Sequence, residues 1–179
     1  KVTSKTTMRQ YLESLTKDEL IQLIMKFAPQ SFRDTIKGQF ASPEEALTIF
    51  NTTSKTIERI LSDEELLYDP SEFERELLQQ LETLRGLWEK LPSQIGDLII
   101  KMMEDVEQAF EDGYLYIEKY GEEDDYFESE QLNEYVFQFV KILPKDIQRD
   151  YVEQLKGVIQ DSGYSTFMRV EKKLAKASF

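Results

Sequence analysis

The chain has 179 residues, 40% of them apolar and 12% aromatic, with 22 Lys and Arg against 35 Asp and Glu for a formal charge of −13. It contains no histidine and no cysteine, which excludes an imidazole base, a nucleophilic thiol, a His- or Cys-ligated zinc and any disulfide. The apolar fraction is too high for a disordered chain; seven glycines and five prolines are too few for a turn-rich all-β fold.

The charge is segregated. Residues 1–60 hold nine basic and seven acidic residues, residues 61–140 five basic and 23 acidic, and residues 141–179 eight basic and five acidic. A middle third at −18 repels phosphate backbones and anionic lipid surfaces, so direct nucleic-acid binding and membrane association are not expected. No run of 18 apolar residues is present to span a bilayer. The stretch from Lys1 to Met8 lacks an apolar signal core. The chain does not begin with Met and is read as part of a longer, cytoplasmic protein.

In chain order, Thr16 with Glu19 three residues on forms a capping box, and Leu20, Leu23, Ile24 and Phe27 follow on one helical face. Pro29 stops that helix. A short segment should then turn Phe32 and Ile36 inward, with Gly38 near its end. Ser42-Pro43-Glu44-Glu45 repeats the box, with Pro at the first helical position. Leu47, Phe50, Ile57, Ile60 and Leu61 should face inward, and Asn51-Thr52-Thr53-Ser54 should break the helix, because such residues favour caps over interiors.

Asp69-Pro70-Ser71-Glu72 reads as a third box. Phe73, Leu77, Leu81, Leu84, Trp88 and Leu91 then recur at three-four spacing, predicting about six turns of helix with Trp88 in the core. Pro92-Ser93 makes a corner into a second long helix, predicted over Ser93 to Tyr120 through Gly113. Two long helices with so short a connection predict an antiparallel hairpin. Leu132 to Leu143 form another helix, stopped by Pro144. Ile147 to Ile159 form the next, and Phe167, Val170 and Leu174 mark a last one.

The richest chemistry lies between residues 114 and 127. Glu122, Glu123, Asp124 and Asp125 could hold a hard cation, but the ligand order and central Gly of an EF-hand are missing. A solvated loop near the next helix N-terminus is the preferred reading. Tyr114, Tyr116, Tyr120, Tyr126, Phe110 and Phe127 are either packing between hairpins or a hot-spot surface for a partner. Glu104, Glu107, Glu111 and Glu118 are read as the solvated face of the long helix. No phosphate loop and no nucleophile elbow occur. No catalytic, metal or cofactor residue is assigned, and no cofactor is expected.

The segment Tyr11-Leu12-Glu13-Ser14-Leu15-Thr16-Lys17-Asp18-Glu19-Leu20-Ile21-Gln22-Leu23-Ile24 resembles one in bacterial SWIM zinc-finger proteins, in the helical region that follows the finger. The later layout of long helices, acidic loop and further helix pair is similar. The resemblance implies an α-helical scaffold region and carries over no functional residue; the finger itself is absent.

The expectation is an all-α chain of seven to nine helices packed as antiparallel hairpins, a single domain over 1–179 with a possible subdivision at 1–68 and 69–179. The leading functional expectation is a non-catalytic interaction or scaffold domain. Its candidate partner-binding residues are Tyr114, Tyr116, Tyr120, Glu122, Glu123, Asp124, Asp125, Tyr126 and Phe127, and its partner is a protein, basic in one reading. The alternatives are an acidic regulator mimicking nucleic-acid charge and a carboxylate-dependent metal hydrolase.

Overall fold

The computed structural model describes residues 7–115, 127–161 and 166–177. Among these residues the chain forms ten α-helices and no strand: α1 (Met8–Ser14), α2 (Lys17–Phe27), α3 (Gln30–Phe40), α4 (Pro43–Leu61), α5 (Glu64–Leu67), α6 (Pro70–Arg85), α7 (Pro92–Glu111), α8 (Glu130–Ile142), α9 (Lys145–Asp161) and α10 (Met168–Lys176). The expected count is exceeded because α1 and the single turn α5 are added, while the predicted break in α4 does not occur. No described helix is long and apolar enough to cross a membrane.

The helix starts follow the local code. Thr7, Thr16 and Ser42 each accept from the third residue of their helix, and Gln10, Glu19 and Glu45 reach back to the cap amide. Asp69 makes only half of this device, accepting from Glu72 N at 3.4 Å.

Three boundaries depart from the periodicity. α4 runs unbroken through Asn51–Ser54, because Thr53 is buried on the face shared by Ala46, Ile57 and Ile60. Packing there outweighs a weak intrinsic propensity. Ala46, not the exposed Leu47, occupies the inward position. α6 ends at Arg85, and residues 87–91 close in tight turns that still bury Leu87 and Trp88. α7 stops at Glu111: Gly113 takes φ +80°, its amide donates to Phe110 O, and Tyr114 N donates to Ala109 O. That bond pair is a Schellman motif, which needs a left-handed residue where glycine sits. The predicted helix therefore ends well before Tyr120.

The closest helix approaches fall elsewhere than between α6 and α7. α6 packs chiefly on α3 and α4, whereas α7 packs on α4 and α9, and α8, α9 and α10 pack on one another. The α3–α6 approach is set by two glycines. A Cβ on Gly86 would lie 2.2 Å from Thr35 O, and one on Gly38 would lie 3.0 Å from the Gly86 carbonyl carbon. The residues of α3 that meet α6 are Thr35 and Gly38, and Phe32, expected inward, is exposed.

The buried apolar residues from Ala41 to Leu174 form one cluster. At its centre Trp88 Nε1 donates to the Tyr135 hydroxyl at 3.0 Å, and that hydroxyl donates to Leu81 O at 2.6 Å. Arg85 lies over both rings, at 4.5 Å from Trp88 and 5.1 Å from Tyr135, and is held by Glu82 and Gln138. Burial raises the Tyr135 hydroxyl pKa far above the usual phenol range, so it stays a donor. Tyr151 repeats the device, donating to Gly96 O at 2.9 Å.

Candidate partner-binding surfaces

Tyr116, Tyr120, Glu122, Glu123, Asp124, Asp125 and Tyr126 lie outside the described residues, as does Glu118. The two ends of that stretch are described. On one side Tyr114 is half-buried, and its ring meets the exposed ring of Tyr68 edge-on at 5.4 Å. On the other side Phe127 is fully buried against Phe73, with ring centroids 6.0 Å apart. Phe127 is thus core, and Tyr114 packs partly against the core with its ring reaching Tyr68. Of the candidate aromatics that are described, one is packed in the core and the other lies at its edge.

A buried polar cluster anchors the same region. Ser129, in the left-handed conformation at φ 61°, donates its amide to Glu74 at 2.8 Å. The Asn133 side chain donates to Ser129 O at 2.7 Å and to Thr166 O at 2.9 Å, and accepts from Val170 N at 3.1 Å. Thr166 in turn donates its amide and its hydroxyl to Glu107, each at 2.7 Å. Glu107, expected on the solvated face, is therefore buried; Glu104 and Glu111 are exposed as expected. The reason is tertiary. The start of α10 brings two donors to α7, and a carboxylate that accepts both can be buried where an unpaired one could not. Glu107's place in the helix periodicity carries no sign of a partner 59 residues away.

Burial raises the Glu74 pKa above its usual value, with the Ser129 amide opposing and the Glu128 charge adding to the rise. A carboxyl raised in the folded state stabilises it most below the unfolded pKa, and that contribution is lost as pH rises through the folded one. Acidification through the raised folded-state pKa should therefore add stability through this group. Glu74→Gln keeps an acceptor for Ser129 without the buried charge. Urea melts should show the variant at least as stable as the parent at pH 7, with a smaller gain on acidification. A clear loss at pH 7 would mean that the charged hydrogen bond outweighs the burial.

Beside Tyr114 a cleft of about 270 Å³ is lined by Glu58, Leu61, Leu67, Asp105, Ala109 and Asp112, among others. Lys101 sits in its wall but is paired with Asp105 at 3.1 Å. The cleft therefore presents apolar floor, an aromatic edge and excess carboxylate. Tyr68, 69% exposed, completes it. Tyr68 lies in the linker between two helices, and only its contact with Tyr114 marks it. Among the described residues no three Asp or Glu come together as a metal-binding group.

A second surface is apolar. α1 and α2 bury no residue, and Met8, Tyr11, Ile21, Ile24, Met25 and Phe27 are exposed on them.

The fold is that of an all-α helical protein. No protein-family model, curated protein or solved structure matches the chain.

Proposed function

We propose that this chain is a non-catalytic helical interaction domain whose acidic flank, centred on Tyr68 and Tyr114, binds a basic protein segment. The observation that carries this reading is the ring pair of exposed Tyr68 and half-buried Tyr114 beside an apolar-floored cleft rimmed by Glu58, Asp105 and Asp112. Aromatic rings supply large contact area at small rotamer cost, and carboxylates around them select cationic partners. The excess of 23 acidic over five basic residues in 61–140 draws such a partner in and repels nucleic acid. The resemblance to the helical region of SWIM zinc-finger proteins agrees with a scaffold role, and a bacterial cytoplasmic setting belongs to the same proposal.

The test is titration of the chain with a lysine-rich peptide carrying one Phe, at low and moderate salt. Saturable binding that weakens with salt is expected. Tyr68→Ala should cost about 2 kcal/mol of binding, as hot-spot truncations do, with an unchanged melting temperature because the ring is exposed. Absence of saturable binding, or equal affinity in the variant, would refute the reading.

A further inference from the structure

Two turns place the Tyr68 and Tyr114 rings. Tyr68 follows the single turn α5 in the right-handed conformation, and its amide donates to Glu64 O at 3.2 Å. Tyr114 follows Gly113 in the turn that closes α7, and its amide donates to Ala109 O at 3.0 Å. Each backbone is thus tied to its own preceding helix. The rings meet with centroids 5.4 Å apart and planes 73° from one another, which makes a corner of two aromatic walls. Tyr114 rests partly against the core, and Tyr68 leaves most of its surface to solvent.

An aromatic face attracts a cation. Other rings of this fold are supplied with one from within: Arg85 lies over Trp88 and Tyr135, and Lys141 and Lys173 lie over Phe137. Among the described residues no Lys or Arg lies over Tyr68 or Tyr114. The corner also stands in the acidic part of the chain, beside Glu58, Asp105 and Asp112. A cation brought from outside is therefore favoured there both by the rings and by the field around them.

The carboxylates select the kind of cation. Asp105 accepts from Lys101 at 3.1 Å, and Asp112 accepts from Gln108 at 2.9 Å. Both keep their negative charge, but each already has an oxygen engaged by its own helix. An unmodified lysine ammonium is strongly hydrated and carries three donors, so it is best met by free acceptor oxygens. A trimethylated ammonium keeps the charge and has no donor to satisfy, so ring faces with carboxylate charge nearby suit it better. The cleft of about 270 Å³ beside Tyr114 offers Leu61, Leu67 and Ala109 to the methylene stem behind such a head.

Resting on the basic-segment reading above, we propose that the Tyr68–Tyr114 corner binds a methylated ammonium, carried by a trimethylated lysine of the partner segment.

Calorimetric titration of the intact chain with the lysine-rich peptide in three forms tests this. One form is unmodified, one is trimethylated at a single lysine, and one carries there a neutral tert-butyl end of the same shape. The trimethylated form should bind about fivefold or more tighter than either of the others. Tyr68→Leu should erase that preference at unchanged melting temperature, because the ring is exposed, whereas Tyr68→Phe keeps an aromatic face and should retain it. Equal or tighter binding of the unmodified peptide overturns the proposal and leaves the basic-segment reading standing. Equal binding of the neutral form reduces the corner to an apolar contact and also overturns it, as does a preference that survives Tyr68→Leu. Choline binding more tightly than the trimethylated peptide assigns the corner to a free quaternary amine and overturns the lysine assignment. No saturable binding of any form overturns this proposal and the basic-segment reading together.

Discussion

Gly86→Ala should destabilise the fold by about 3 kcal/mol or more, in the upper range for overpacking. The new methyl would stand 2.2 Å from Thr35 O and 3.0 Å from Thr35 C. These are backbone atoms of a helix, so no side chain can swing aside. Relief requires α3 to move off α6, which would also strain the Thr35 hydroxyl bond to Glu82 O, 3.1 Å. The matched control is Gly157→Ala in α9, where a Cβ meets nothing within 4 Å. That change should stabilise by up to about 1 kcal/mol, the helix preference for Ala over Gly. Chemical denaturation of both variants separates a steric cost from a propensity gain; equal effects at the two sites would mean that the α3–α6 approach is looser than described.

Asn133→Ala should cost about 3 kcal/mol, spread over several buried hydrogen bonds. α10 has no side-chain cap of its own. Asn133 supplies one from α8, accepting from Val170 N, the third amide of α10, while its amide group holds Thr166 O. Without it, one orphan donor and one carbonyl are left buried. Hydrogen exchange should show protection falling first in residues 168–176, because Val170 and Leu174 are the buried anchors of that short helix. Uniform loss across all helices would instead make the cluster a part of the global core.

The first prediction probes the crossing that holds α3, the element that follows α1 and α2 in the chain. The second probes the cluster that fixes both Ser129 and Thr166. Neither residue lies on the Tyr68–Tyr114 cleft. Loss of partner binding in these variants should therefore follow unfolding and not precede it.

Much of the architecture was legible in the chain. The all-helical class follows from apolar spacing of three and four between capping residues, and Thr16, Ser42 and Asp69 mark helix starts because each satisfies amides within three residues of itself. Pro29 and Pro144 mark stops for an equally local reason. Gly113 was visible as a weak point, but its left-handed turn was not, since the apolar rhythm continues beyond it.

What the tertiary structure decided depends on residues far apart. Glu107 is buried because Thr166 arrives to satisfy it, and Phe127 is core because Phe73 is there to cover it. Tyr68 becomes a site residue only beside Tyr114. The reach of α3 onto α6 depends on two glycines 48 positions apart meeting backbone to backbone. The bare face of α2 is the converse case. Its apolar arc is written in the sequence, but that no described helix covers it is known only once the other elements are placed, because periodicity marks a face for burial without naming what buries it.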